Sequence, residues 1–278
     1  MNTGILIISY KRPECLTANT LQKYGYNGDW NIVADDTDNT DYETLYPGHV
    51  IRFCKKQYYE LTDTADNFEM SPSSVFARNF CWDYAKEIGY DAFGLFDDDI
   101  TGFTFRYSDG DKLKGMPVER FTEIFNLYCE FILSAKIECG AFFSAGALIG
   151  GGGSTYVKKG YFSRPTNALI INTRIEPVSY PPFKSAIYED SVYAYLNNII
   201  GKITAEFKPI STQFVQPVRL KNAGGCTDYY TKTNKYINGF HLQMFIPTHF
   251  KWAHEFEFEL SQNLPLIINE KWRKTDEE

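Results

Sequence analysis

The chain has 278 residues, 44% of them hydrophobic and 23% charged, the balance of a globular protein with room for a large core rather than of a disordered or fibrous one. A net charge of −7 argues against avid, non-specific nucleic-acid binding, which draws much of its affinity from a basic surplus. No apolar run reaches the ~18 residues of a membrane-spanning helix.

The opening MNTGILIISYKRPE has too short an apolar core for a signal peptide and no small-residue cleavage site, so a cytoplasmic protein is expected. Cys15, Cys54, Cys81, Cys129, Cys139 and Cys226 show no CxxC spacing and read as reduced thiols. Aromatic residues make up 17%, which is read first as packing and second as stacking surface for sugars or bases.

GILIIS (4–9) is a short apolar run of the kind buried on both faces of a sheet. Pro13 suits the first turn of a helix running to about Lys23. NIVAD (31–35) and HVIRFC (49–54) are the next strands. SPSSVFARNFCWDYAKEIG (71–89) reads as a helix, with Ser71 or a following serine as N-cap and Gly89 as its stop. Its expected inward stripe is Phe80, Cys81, Tyr84, Ala85 and Ile88. AFGLF (92–96) is a fourth strand.

A helix behind Pro117 would bury Phe121, Ile124, Phe125, Tyr128 and Ile132. AFFSAGALIG and NALIINT read as further strands around the glycine run 150–153, and YEDSVYAYLNNIIG (188–201) as a helix with Val192, Leu196 and Ile199 inward. The charged tail NEKWRKTDEE is expected to fray. No linker composition or repeat divides the chain. Strands alternating with helices predict a parallel α/β sheet that binds ligands at the carboxyl ends of its strands.

Those carboxyl ends carry Ser9-Tyr10-Lys11-Arg12, Asp35-Asp36 and Asp97-Asp98-Asp99. Three adjacent carboxylates repel one another, and a surface turn is the bland reading of such a triplet. Directly after an apolar strand, the triplet instead points to a hard divalent cation, Mn2+ or Mg2+, shared with substrate phosphates. A diphosphate leaving group needs the same cation to neutralise developing charge. No GxGxxG or GxxxxGK[ST] is present, and the four histidines form no HExxH. His249 and His254 are left as late candidates for the metal site.

The motifs ILIISYKRPECLTANTL, NIVADD, ARNFCWDYAKEIGYDAFGLFDDDI and YEDS, in that order, resemble GT-A glycosyltransferases over roughly residues 4 to 200. The combination of SYKR, ARN with DDDI, and YED is most similar to the TET-associated branch, found in phages and linked to sugar addition on hydroxymethylated pyrimidines in DNA. The resemblance implies an α/β, GT-A-like single domain over 1–278, with a mostly parallel central sheet and helices on both faces. Within it, 1–105 would bind the nucleotide sugar and 106–278 the acceptor.

The resemblance also implies roles. Asp97 and Asp99 would hold the metal as the two ends of a DxD motif, and Asp98 would contact sugar or ribose. Arg78 would meet the diphosphate or sugar, and Asp35 or Asp36 the base or ribose. Ser9, Tyr10 and Arg12 would line the nucleotide pocket. In inverting members an acid at a helix start removes the acceptor proton; Asp190 is the candidate here and Glu189 the reserve, although both acids also suit the positive end of a helix.

The expected partners are a UDP-sugar donor and DNA with a hydroxymethylated pyrimidine, with no membrane and no obligate protein partner, in host cytoplasm if phage-encoded. YVKKGYFSRP (156–165) and VRLKNAGGCTDYYTKTNKY (218–236) interleave basic and aromatic residues, as a surface extruding a base would. The alternatives are a polysaccharide or other glycan acceptor, a nucleotidyltransferase, and a non-catalytic sugar-binding module.

Overall fold

β1 (Thr3–Ile8) explains the architecture in miniature. Ile5 and Ile7 enter one apolar cluster and Leu6 and Ile8 another, so the strand is covered on both faces and must be apolar throughout. The computed structural model describes residues 1–59, 61–62, 73–109, 112–145, 165–185, 189–214, 249–252 and 258–261.

The elements that follow are α1 (Leu16–Lys23), β2 (Asp29–Asp35), the single turn α2 (Tyr42–Leu45), β3 (Val50–Phe53), α3 (Val75–Glu87), β4 (Ala92–Asp97), β5 (Ile100–Asp109), β6 (Lys112–Pro117) and α4 (Phe121–Ser134). Then come β7 (Cys139–Ser144), β8 (Ala168–Asn172), α5 (Glu189–Ile199) and β9 (Thr204–Phe214), with β10 (His249–Trp252) and β11 (Phe258–Ser261) as a separate antiparallel pair. The nine-stranded sheet has the order β3-β2-β1-β4-β8-β7-β9-β5-β6. From the pairings, β5 and β8 run against the other seven strands. The mostly parallel α/β class is therefore the one observed. α1 and α4 pack on one face through Ala18, Leu21, Phe121, Phe125 and Ile132, and α3 covers the other through Val75, Phe76, Trp82 and Ala85.

The connection after β4 constrains the whole sheet. Asp98 and Asp99 alone join β4 to β5, yet three strands lie between these two in the sheet. The sheet must curl to bring them together. Phe96 of β4, Phe103 of β5 and Phe142 of β7 fill the concave side, with ring centroids 6.0–6.3 Å apart, and Phe121 stacks on Phe103 at 3.9 Å.

Several boundaries differ from expectation. α1 starts at Leu16 instead of Pro13, because Lys11 at φ 55° and Arg12 belong to a loop held by Asp38 and Asp98. Pro117 closes β6 instead of opening α4. β6 was not legible as a strand: it is an edge, nearly all exposed and rich in lysine, as edges that resist further pairing are. β5 and β9 were not anticipated either.

On α3 the buried set is Val75, Phe76, Arg78, Asn79, Cys81, Trp82 and Ala85; Phe80 and Tyr84 are half-buried and Ile88 is exposed. Hydrophobic periodicity missed the face because two of its inner positions are polar. On α5, Val192, Tyr193 and Ala194 are buried, while Leu196 is half-buried. The five described cysteines are free thiols.

Phe142 is fully buried and touches Phe96, Phe103, Phe121 and Tyr128. Phe142→Ala should lower the unfolding free energy by about 3–5 kcal/mol, read as a reduced denaturant midpoint at unchanged slope.

Candidate active site

Register brings the acidic and basic strand ends together. Ile8, the last residue of β1, pairs with Val33 of β2 and with Asp97 of β4, and Asp35 pairs with Phe53 of β3. The segments 9–12, 35–38, 54–55 and 97–99 therefore leave the sheet along one edge. α1 fixes the turn between β4 and β5. Thr17 Oγ1 donates to the Asp97 carbonyl oxygen and accepts from the Ile100 amide at 3.0 Å, and the Thr17 amide donates to the Asp98 carbonyl oxygen at 3.1 Å.

The three aspartates diverge. Asp98 is buried: its Oδ2 accepts from Ser9 Oγ at 2.7 Å and its Oδ1 pairs with the Arg12 guanidinium. The Ser9 hydroxyl also lies 2.9 Å from the Tyr42 hydroxyl, which accepts from the Arg12 amide at 3.1 Å. Ser9, Arg12 and Asp98, all expected on the nucleotide, thus bond to one another and brace the first loop. Asp97 accepts from Arg78 Nη2 at 3.0 Å. The Asp99 Oδ1 is buried with no hydrogen-bond partner. Burial pushes the Asp97 and Asp99 carboxyls well above the ordinary carboxylate range, and the neighbouring aspartates push in the same direction. The Arg78 guanidinium opposes the rise at Asp97.

Arg78 is itself buried, with Nε donating to Glu189 Oε1 at 3.0 Å and the Phe183 ring 5.9 Å away. Glu189, the first residue of α5, also accepts from Ser74 Oγ at 2.5 Å. Asn79 clamps the segment before α5, donating to the Phe183 carbonyl at 2.9 Å and accepting from its amide at 2.9 Å. Asp190 is half-buried, and its Oδ1 accepts from the Ser191 amide at 2.7 Å.

On the other side of the edge, the Asp35 carboxylate is filled by Lys55 Nζ at 3.0 Å and by the amide and hydroxyl of Thr37. Asp36 is exposed, with Oδ1 on the Lys55 amide. The Tyr10 ring lies 4.9 Å from the ammonium groups of both Lys11 and Lys55. Lys55, Thr17 and Tyr42 are supporting residues that sequence reasoning missed, since a single Thr, Tyr or Lys carries no signal apart from its partner. Ser74 is an N-cap serine of the kind expected for α3 and Asn79 lies in the ARN motif, but the partners of both were not foreseen.

Among the described residues, no group of three or more His, Cys, Asp or Glu is arranged to hold a metal ion, and no helix is long and apolar enough to cross a membrane. The donors present suit a cation that takes one or two carboxylates and completes its shell with phosphate oxygens and water, as Mg2+ does. The orphaned Asp99 oxygen is the observation that fits it. The basic and aromatic residues at 156–164 and 218–236, the glycine run, Tyr188, Cys226, His254, Ser71, Pro72 and the charged tail lie outside the described residues. His249 opens β10.

A model of the TET-Associated Glycosyltransferase family matches residues 3–225. The chain belongs to that family. No match is found among curated proteins. Among solved structures, glucosyl-3-phosphoglycerate synthase from Mycobacterium tuberculosis, in complex with Mn2+, UDP and phosphoglyceric acid, aligns at TM-score 0.44 and 10% identity over 77% of this chain and 71% of that one. A197 from STIV aligns at TM-score 0.42 and 10% identity over 78% and 86%. This TET-associated glycosyltransferase therefore carries its acidic triplet at the strand edge where its α/β class binds ligands.

Asp99 tests the electrostatics directly. Its folded-state value is raised from the ordinary 3.8 to about 6, so its stabilising contribution is complete only below the ordinary value and is lost as pH rises through about 6. In metal-free protein, Asp99→Asn should raise the melting temperature by roughly 5–10 °C at pH 7.5 and by far less near pH 4. Sugar transfer should be abolished in the same variant. A lower melting temperature at pH 7.5 would contradict the repulsion described here.

Proposed function

We propose that this glycosyltransferase moves a sugar from a UDP-sugar to the hydroxymethyl oxygen of a modified pyrimidine in DNA. Asp97 and Asp99 are the residues that would hold a Mn2+ or Mg2+ ion, which when bound neutralises charge on the departing diphosphate. The observation that carries the reading is the Asp99 oxygen, buried and without a hydrogen-bond partner beside two aspartates already met by arginines. Arg78 offers the diphosphate a buried guanidinium whose Nη1 has no protein acceptor. Asp36, exposed just after β2, would contact the ribose or base, and Tyr10 the nucleotide. Residues 1–105 supply the donor half, and 106–278 the acceptor half.

Asp190 is the proposed base. Its carboxylate takes the proton of the acceptor hydroxyl as the oxygen attacks C1, the bond from C1 to the diphosphate breaks, and UDP leaves with the pair of electrons. Such a base is worth roughly 10²–10⁴-fold in rate. The family supports a modified base as acceptor, and its TET-associated character is the reason DNA is preferred to a glycan. A base in duplex DNA must be unstacked first, at a cost of a few kcal/mol. With the net charge at −7, binding should be modest and strongly salt-dependent.

Two measurements check this. Asp190→Asn keeps shape and polarity but removes the proton acceptor, so UDP affinity should stay within about twofold of wild type while turnover falls by at least ~100-fold. A matching loss of UDP affinity would move Asp190 into the donor site. For the acceptor, the protein is incubated with UDP-sugars, Mn2+ and oligonucleotides bearing hydroxymethylcytosine, hydroxymethyluracil or unmodified bases, and the products are weighed. A hexose or pentose increment is expected on hydroxymethylated strands alone. Transfer to a glycan primer with none to DNA would replace the proposed acceptor.

A further inference from the structure

Glu189 has a role in the fold that the sequence does not suggest. It begins α5, yet its Oε1 is already shared between Ser74 Oγ at 2.5 Å and Arg78 Nε at 3.0 Å, both on the opposite side of a buried contact between α5 and the start of α3. Two donors, one of them a guanidinium, thus hold the carboxylate through Oε1 as the ionised partner of Arg78.

The guanidinium it holds is a rigid plane. With Nε on Glu189 and Nη2 on Asp97 Oδ1, both at 3.0 Å, the direction of Nη1 is no longer free. Nη1 is buried and has no acceptor. A buried donor left unmatched is costly, and in a protein that binds a diphosphate it marks where an anionic oxygen completes the set.

Charge gives the second half of the argument. A buried arginine needs a counter-charge. Without Glu189, the one carboxylate left bonded to Arg78 would be Asp97, with Asp190 acting only through space, and Asp97 is the carboxylate that a divalent cation must share. The two positive groups would then compete for one anion.

We propose that Glu189 is a positioning residue for donor binding: it supplies the counter-charge of Arg78, aims Nη1 at the diphosphate and leaves Asp97 open to the cation. This rests on the donor reading above and replaces a base role for Glu189. It also ties the first turn of α5, which carries Asp190, to the end of β4, so that the acceptor-side carboxylate is registered through the donor site.

The test is calorimetric titration of UDP with saturating Mn2+, alongside steady-state kinetics, on wild type, Glu189→Gln, Ser74→Ala and Arg78→Leu. Glu189→Gln should weaken UDP·Mn2+ binding about tenfold while turnover at saturating donor falls less than about threefold. Ser74→Ala should move affinity the same way by about threefold. In an Arg78→Leu background, Glu189→Gln should add no further loss of affinity, since the group it positions is gone.

Unchanged affinity in Glu189→Gln overturns the proposal, as does a collapse of turnover at unchanged affinity, which would restore Glu189 as the base. If Glu189→Gln does not fold, Ser74→Ala decides, and wild-type affinity in that variant counts against the proposal. Failure of wild type itself to bind UDP with Mn2+ would overturn the donor reading and this inference together, whereas wild-type binding with an indifferent Glu189→Gln overturns this inference alone.

Discussion

Three carboxylates on consecutive residues cannot share a buried turn without positive charge close by, and the fold around Asp97–Asp99 is arranged about that requirement. Arg12 reaches Asp98 from the loop after β1, and Arg78 reaches Asp97 from α3. Asp99 has neither, so its Oδ1 is left without a partner. Arg78 is also held by Glu189, so two arginines face four carboxylates and the strand edge is short of positive charge. The family's chemistry, which must carry off a diphosphate, has a use for that deficit.

The same turn limits the backbone. Because two residues join strands that are not neighbours in the sheet, the placement of Asp98 and Asp99 is tied to its curl. Thr17 pins both sides of the turn through one hydroxyl and one amide. The aromatic cluster of Phe96, Phe103, Phe121 and Phe142 fixes the curl from beneath. Packing in the core and charge at the edge therefore act on the same few residues, as preorganised sites require.

How much of this could be read beforehand depended on the range of the interaction. The triplet was legible because like charges in sequence directly follow a buried strand. β1, β2, β3 and β4 were legible as short apolar runs and α4 and α5 from apolar periodicity, while α3 was legible from its end signals but not its buried face. The edge strand β6 was not, since its exposed lysines give no apolar alternation. Arg78 and Glu189 were each visible as members of motifs, but they are separated by 111 positions, and nothing local reports that they share a bond. Asp98 shows the opposite limit: the motif marks it as a ligand contact but says nothing of its bonds to Ser9 and Arg12, which brace the first loop.

The order of the sheet has a further consequence during synthesis. β4 is wholly apolar from Ala92 to Phe96, and its second edge is closed only by β8, at Ala168–Asn172. A chain emerging from the ribosome holds that strand beside β1 with one edge open while some seventy more residues are made. Charged residues flanking such a strand discourage pairing with other chains, and here the flank is the triplet itself. The aspartates thus stand where flanking charges oppose such pairing, and neutralising all three should reduce soluble yield even where the finished fold gains stability.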